Sequence, residues 1–272
     1  MELFRTEKVT KAITRIVMPY VCAYLIEGKE KAVLLDTGFG YGDLKAFVDD
    51  LTDLPYEVIL THGHPDHAGG SVQFDKVYLN PKEFIAADRD CSIENRRAIR
   101  QYVTRKIGPI EDELDKWLPQ RQGNFTPLND GQSFDLVGIT VLPILVPGHS
   151  QGIMCFIIKE ERVAIFGDAC SDPTLLNLDA STKIREHLQG LLHLRSFEKL
   201  FDRVLINHSD FALPKEVLAN NILLAQNIIH GVDDRIRIRM TGKISYSARP
   251  NRQKSSYPLV PVGNIIYTDE KL

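Results

Sequence analysis

The first third of the chain alternates short apolar runs with charged turns. Ile13 to Val17, Val21-Cys22-Ala23-Tyr24-Leu25-Ile26 and Ala32-Val33-Leu34-Leu35-Asp36 read as three strands, the last two joined by a Glu27-Gly28-Lys29 turn. Thr37-Gly38, Gly40 and Gly42 break the pattern. Leu44, Phe47, Val48 and Leu51 then recur at helical spacing, which predicts a helix over 42–52. Leu54 to Leu60 predicts a buried strand, Lys76 to Leu79 a short one, and Pro81 the start of a helix running through Ala87. Over 88–120 the apolar positions Ile99, Tyr102, Val103, Ile107, Ile110, Leu114, Trp117 and Leu118 form a broken stripe. Pro109 interrupts it, so two helices are expected there.

The second half repeats the theme. Ser133 to Val146 predicts a hairpin turning near Val137-Gly138 and ending at Pro147-Gly148-His149-Ser150. Ile153 to Ile158 and Arg162 to Phe166 predict another, which ends at Gly167-Asp168. Setting Asp36 against Asp168 brings Tyr24 onto Phe156, Leu25 onto Ile157, Ile26 onto Ile158 and Val33 onto Ile165 without a gap. That match suggests two related halves, each a sheet covered by helices. Helical spacing follows over 183–201 and again over 214–230 behind Pro214. Val204-Leu205-Ile206-Asn207-His208 is a strand ending in histidine. Residues 236–240 alternate as a half-exposed strand, 247–260 read as loop, and 264–268 as a last strand. With no linker and no low-complexity segment, residues 1–272 are expected to form a single domain. Residues 88–120 are its helical lid or substrate wall, and their stripe is a candidate homodimer face.

Composition narrows the class without choosing a chemistry. Hydrophobic residues make up 43% and charged residues 25%, an ordinary globular balance. A net charge of −3 gives no general drive toward nucleic acid or an anionic membrane. Arg89, Arg96, Arg97, Arg100, Arg105 and Lys106 make the 88–120 region locally basic, which reads first as a solvated face and second as a clamp for an anionic substrate. Cys22, Cys91, Cys155 and Cys170 form no C-x-x-C pair, so a reducing compartment is expected. The start lacks a signal-peptide apolar core and no stretch is long enough to span a membrane, so the expected location is cytoplasmic.

The candidate chemistry lies in Thr61-His62-Gly63-His64-Pro65-Asp66-His67-Ala68-Gly69-Gly70, directly after a buried strand. Three imidazoles and a carboxylate in one loop need partners to offset their desolvation. Zinc takes such nitrogen and oxygen donors at about 2.0–2.2 Å. Of the eight histidines, His62, His64, His67, His149 and His208 stand at the ends of apolar β-runs, as do Asp66 and Asp168. His187, His193 and His230 fall within helical patterns and read as structural, and Cys170 as a neighbour of Asp168 rather than a ligand.

His62-Gly63-His64-Pro65-Asp66-His67, then Pro147-Gly148-His149-Ser150, then Gly167-Asp168, then His208 resemble, in order and spacing, the motifs of the metallo-β-lactamase fold superfamily. Leu34-Leu35-Asp36-Thr37-Gly38 is similar to its strand motif before the first helix. The resemblance covers roughly residues 10–230. It implies an α/β fold, a four-layer αββα sandwich of two mixed sheets flanked by helices. It also implies a dinuclear centre, with His62, His64 and His149 on one metal, Asp66, His67 and His208 on the other, and Asp168 bridging. Asp36 would orient the metal loop. One departure is Asn207, where many members place glycine before the last histidine.

The same resemblance implies a hydrolase that uses two Zn2+, with iron or manganese also suited to His and Asp donors. A metal-bridging hydroxide would attack the substrate, and Asp66 would orient it and relay its proton. The expected partner is a small-molecule substrate. Asp168 stands where the best-known lactamases carry cysteine, so the chain resembles the thioesterase, lactonase and phosphodiesterase branches instead. The strand-and-loop reading after residue 231 differs from the helical glutathione-binding domain of glyoxalase II-type enzymes. The first expectation is cleavage of an ester, thioester or lactone of a small molecule. An iron-dependent oxygenase such as a persulfide dioxygenase, a phosphodiesterase and a non-catalytic metal-binding protein are the alternatives. The complete ligand set argues against the last.

Overall fold

A computed structural model describes residues 3–105, 108, 110–240, 242–250 and 260–272. Its chain divides into two compact units, Met1–Val141 with Asn207–Ser209, and Leu142–Ile206 with Asp210–Leu272. The expected positions Lys106, Ile107 and Pro109, and most of the loop over 247–260, lie outside the described residues.

The first unit is built on a seven-stranded mixed sheet whose strands lie in chain order. They are β1 (Arg5–Lys8), β2 (Ile13–Val17), β3 (Cys22–Glu27), β4 (Ala32–Leu35), β5 (Tyr56–Ile59), β6 (Val77–Leu79) and β7 (Thr126–Pro127). The first four pair antiparallel through tight turns. From β4 onward the pairs are parallel, so each crossover needs a longer connection. Those connections carry α1 (Leu44–Asp49), α2 (Pro65–Ala68), α3 (Phe84–Asp90) and α4 (Ile93–Thr104). Residues of β3 and β4 are buried along almost their whole length, which explains their unbroken apolar sequence. A last short strand, β8 (Phe134–Asp135), opens the hairpin expected near Val137-Gly138, both of which have positive φ.

The second unit continues from that hairpin with β9 (Thr140–Leu145), β10 (Met154–Ile158) and β11 (Val163–Ile165). After β12 (Thr174–Leu176) and α5 (Ile184–Arg195) come β13 (Arg203–Leu205), β14 (Ala212–Leu213) and α6 (Val217–His230), then β15 (Ile236–Met240), β16 (Lys243–Ser247) and β17 (Ile265–Tyr267). One sheet runs β14-β13-β11-β10-β9 and a second runs β12-β17-β16-β15. Helices α5 and α6 pack against each other, and Leu191, Leu194, Val217, Leu218 and Ile222 join the core beneath them.

Three readings from the pattern change. After α4, the only further helical turn among the described residues of 88–120 is a 3-10 turn at Leu114–Lys116. The chain there is tied to the glycine-rich loop instead: Gly42 N donates to Lys116 O (2.8 Å) and Leu118 N to Gly40 O (3.0 Å). Strands β1, β12, β14 and β16 were not legible, because three are short and β1 and β16 carry polar residues that only a paired neighbour makes extended. The two halves match one residue away from the sequence alignment. Glu27 pairs with Ala32 and Ile158 with Val163, so equal turns set Asp36 against Gly167 rather than Asp168. Both residues are left-handed, at φ 67° and 55°, where each chain swings off its strand.

Among the described residues no helix is long and apolar enough to cross a membrane. All four cysteines are free and buried, and burial pushes the Cys22, Cys91 and Cys170 thiols up to about 12.

His187 on α5 is fully buried, and its Nδ1 donates to Pro147 O at 3.0 Å. Burial pulls its pKa down to about 4, against a smaller opposite pull from the Pro147 carbonyl. A depressed histidine binds its proton more readily in the unfolded chain, so its contribution is complete above about pH 6.5 and is lost as the pH falls through about 4. In chelator-treated protein we expect unfolding free energy to drop by about 3 kcal/mol over that window, and His187→Asn to flatten the drop in pH-dependent denaturant titrations. The same variant should leave metal content unchanged.

Candidate metal centre

In the first unit, β5 is held between β4 and β6, and the chain leaves the sheet after Leu60, whose N donates to Tyr78 O (2.9 Å). Thr61 and His62 are fully buried. His64 then takes an extended conformation and Pro65 opens α2, a position where the missing N–H of proline costs nothing. Gly69 and Gly70 close the turn. A Cβ on Gly69 would strike Phe39 O and one on Gly70 would strike Thr37 O, so the loop returns against its neighbour with room for backbone alone. Thr37 secures it through two bonds to His67 O, from its N and its Oγ1, both 2.8 Å.

Asp36 organises this loop from beneath. Its buried carboxylate accepts from Thr61 N (2.7 Å), Thr61 Oγ1 (3.0 Å), Asn207 Nδ2 (3.0 Å) and His67 Nδ1 (2.8 Å). A carboxylate in this setting can only accept, so His67 carries its proton on Nδ1 and presents the Nε2 lone pair. Thr61 Oγ1 donates to Asp36 and therefore accepts from His62 Nδ1 (3.0 Å), which presents His62 Nε2 in the same way. His208 Nδ1 donates to Tyr20 O (2.9 Å), and the Tyr20 ring lies 4.6 Å from the His208 ring. Tyr20 reaches this position with φ 82°, a strained value for a bulky residue.

These fixed tautomers make three acceptors meet. His67 Nε2 and His208 Nε2 are 3.3 Å apart, and Asp66 Oδ2 lies 3.4 Å from His208 Nε2 and 3.7 Å from His67 Nε2. Lone pairs turned on one another repel unless a cation or a proton sits among them. The donor set and spacing therefore fit a divalent ion, and these three side chains form a group able to hold one. The His62 ring centroid lies 4.2 Å from that of His67 and 4.5 Å from that of His64.

In the second unit the turn after β9 carries His149. Thr182 N donates to Gly148 O (2.8 Å) and Ser181 Oγ to His149 O (2.9 Å), which pins the turn. His149 Nδ1 donates to Leu175 O (3.0 Å), so its Nε2 lone pair faces Asp168 Oδ2 at 3.5 Å. Asp168 follows Gly167 in the sharp exit from β11 and is partly exposed. Each of the seven expected ligands thus belongs to one of two clusters: His62, His64, Asp66, His67 and His208 in the first unit, His149 and Asp168 in the second.

Residues read as structural make contacts of other kinds. Cys170 Sγ contacts Val217 O and receives Asn221 Nδ2, and His193 packs on Phe197. The basic run divides between interior and surface. Arg96 and Arg100 are buried, whereas Arg89 and Arg105 are exposed; Arg97 pairs with Asp112 (2.7 Å) and Arg89 with Asp90 (2.6 Å). Three contributors were given no role from the sequence: Thr61, Tyr20 and Glu83, whose buried Oε2 accepts from Gly63 N at 3.0 Å. Backbone carbonyls and hydroxyls carry no pattern of their own, although the buried polar Thr61 between a strand and a histidine was a usable hint.

Asp36→Asn keeps the shape but turns a donor toward donors. We expect it to weaken the tightest divalent-metal binding by about 10–100-fold, as loss of a ligand's orienting partner generally does, measured by chelator competition.

Comparison with known proteins agrees with this chemistry. Residues 20–198 match the family model of the metallo-beta-lactamase superfamily. The human acyl-coenzyme A thioesterase MBLAC2 is 24% identical over 226 residues, 77% of this chain and 81% of that protein. The atrochrysone carboxyl ACP thioesterase of Aspergillus fumigatus is 28% identical over 149 residues, 53% of this chain but only 28% of its own length. Among solved structures, the metallo-beta-lactamase from Pontibacter korlensis superposes with a TM-score of 0.60 at 18% identity, covering 82% of this chain and 99% of that one, and so supports the fold. The mixed sheets with their flanking helices, the histidine and aspartate clusters and the family match lead to one conclusion: this chain belongs to the metallo-β-lactamase superfamily and is a hydrolase.

Proposed function

We propose that the chain is a dinuclear zinc hydrolase that cleaves the thioester of a small molecule, within the wider class of esters, thioesters and lactones. The observation that carries the metal reading is the meeting of His67 Nε2, His208 Nε2 and Asp66 Oδ2 with both imidazole protons held elsewhere. The ligand set follows the sequence motifs: His62, His64 and His149 for one ion, Asp66, His67 and His208 for the other, and Asp168 for both. Bound divalent metal supplies Lewis acidity, lowering the pKa of water to about 7 and polarising a carbonyl.

The chain's own residues do the rest. Asp36, Thr61 and Tyr20 hold the imidazoles in one tautomer, so no proton has to leave a ligand before metal binds. Asp66 accepts the proton that water loses when its oxygen bonds to the acyl carbon. It returns that proton to the sulfur as the carbon–sulfur bond breaks, giving a carboxylic acid and a thiol. A thiol has a reference pKa of about 8.5, so its sulfur leaves with little assistance. That suits a site whose only proposed proton carrier is one carboxylate. The length shared with an acyl-coenzyme A thioesterase supports a thioester as substrate. The segment 88–120 is read as a substrate wall, and residues 1–272 as one functional domain.

Elemental analysis of purified protein, followed by a panel of acyl-coenzyme A thioesters, lactones, phosphodiesters and persulfides, tests the reading. Two zinc ions per chain and thioester cleavage are expected. One iron per chain with oxygen uptake on a persulfide would overturn it. Asp168→Ala should lower metal toward one ion per chain or less and remove turnover; two tightly held ions with full turnover would sink the bridging role.

A further inference from the structure

Arg96 lies on α4 and is the largest fully buried side chain in the described structure. Among the described residues it forms no ion pair. Its guanidinium donates only to backbone carbonyls: Nε to Cys91 O (2.9 Å), one terminal nitrogen to Leu118 O (2.6 Å), and the other to Phe39 O (2.9 Å), Gly69 O (3.2 Å) and Gly40 O (3.4 Å). Burying a charge without a counterion is costly, and the fan of charge-assisted bonds is what offsets it. Such an arrangement needs a planar fork; an ammonium on a single stem cannot reach carbonyls spread around it.

The carbonyls it gathers belong to three segments that meet at the metal loop. Phe39 and Gly40 are in the glycine-rich loop after β4. Gly69 closes α2, the turn carrying Asp66 and His67. Cys91 and Leu118 flank the wall segment, whose helical parts among the described residues are α4 and the Leu114–Lys116 turn. A four-residue helix cannot sustain itself, because nucleation costs more than one turn of bonds returns. The orientation of α2 is therefore imposed from outside, by Thr37 on His67 O, by Gly70 N on Gly38 O (3.2 Å), and by Arg96 on Gly69 O. Of these, only the Arg96 bond also engages the wall.

We propose that Arg96 is a positioning residue for the metal centre. By holding Gly69 O and Phe39 O on one nitrogen, it sets where Asp66 and His67 stand and joins that placement to the 93–118 wall. The inference rests on the metal reading given under Proposed function.

The test is Zn2+ affinity by chelator competition on wild type, Arg96→Lys and Arg97→Gln. Arg97 shares α4 but bonds Asp112 away from the loop, so a general loosening of the wall would affect both variants. Arg96→Lys should raise the Kd for Zn2+ by about 10–100-fold, while Arg97→Gln leaves it unchanged. A folded Arg96→Lys protein with wild-type affinity overturns the role, as does an equal loss in both variants. Should Arg96→Lys not fold, hydrogen exchange of the wild type decides: adding Zn2+ should slow exchange of the α4 amides as well as those of residues 66–70, and an unaltered α4 overturns the link. A wild type that binds no divalent metal overturns the metal reading itself, which separates the two failures.

Discussion

The Asp36 carboxylate is the interaction on which the first unit's site depends. It sits at the end of β4 in a left-handed conformation and is fully buried. Four donors from three residues converge on it: the backbone and hydroxyl of Thr61, the ring of His67 and the amide of Asn207. A buried charge must be satisfied, and this one is satisfied by groups that would otherwise have no reason to be near one another. The consequence is chemical as well as structural. Because the carboxylate cannot donate, it decides which nitrogen of His67 carries the proton, and through Thr61 it decides the same for His62.

Four of the expected ligand histidines share that logic by different means. His67 uses a carboxylate, His62 a hydroxyl, His208 and His149 backbone carbonyls of Tyr20 and Leu175. In each case the partner can accept, and Nε2 is the atom presented.

Around this arrangement the chain after α4 is tied down by hydrogen bonds. The stretch after α4 was expected as a second helix and instead pairs with the glycine-rich loop, while Asp112 receives Arg97, Gln101 and Trp117 Nε1. These bonds hold Asp112 well down, at about 2, with the Arg97 guanidinium the main cause. Two members of the basic run, Arg96 and Arg100, are buried rather than solvated. Arginine can bury its stem and bond carbonyls with its fork, so its charge says little about which side of the protein it occupies.

By itself the sequence determined the strands, the long helices and the metal-binding residue types. Strand burial shows as unbroken apolar runs, helices as recurring apolar positions, and metal ligands as polar residues clustered where polar residues are costly. The orienting role of Asp36 was expected only through the resemblance of its strand motif to that of the family. Tertiary structure alone decided the one-residue offset between the halves, the short edge strands, the tautomer of each histidine and the place of Arg96. Those features depend on which backbone carbonyl or hydroxyl faces a given side chain across the fold. Every residue carries the same backbone groups, so no pattern of side chains along the chain could announce them.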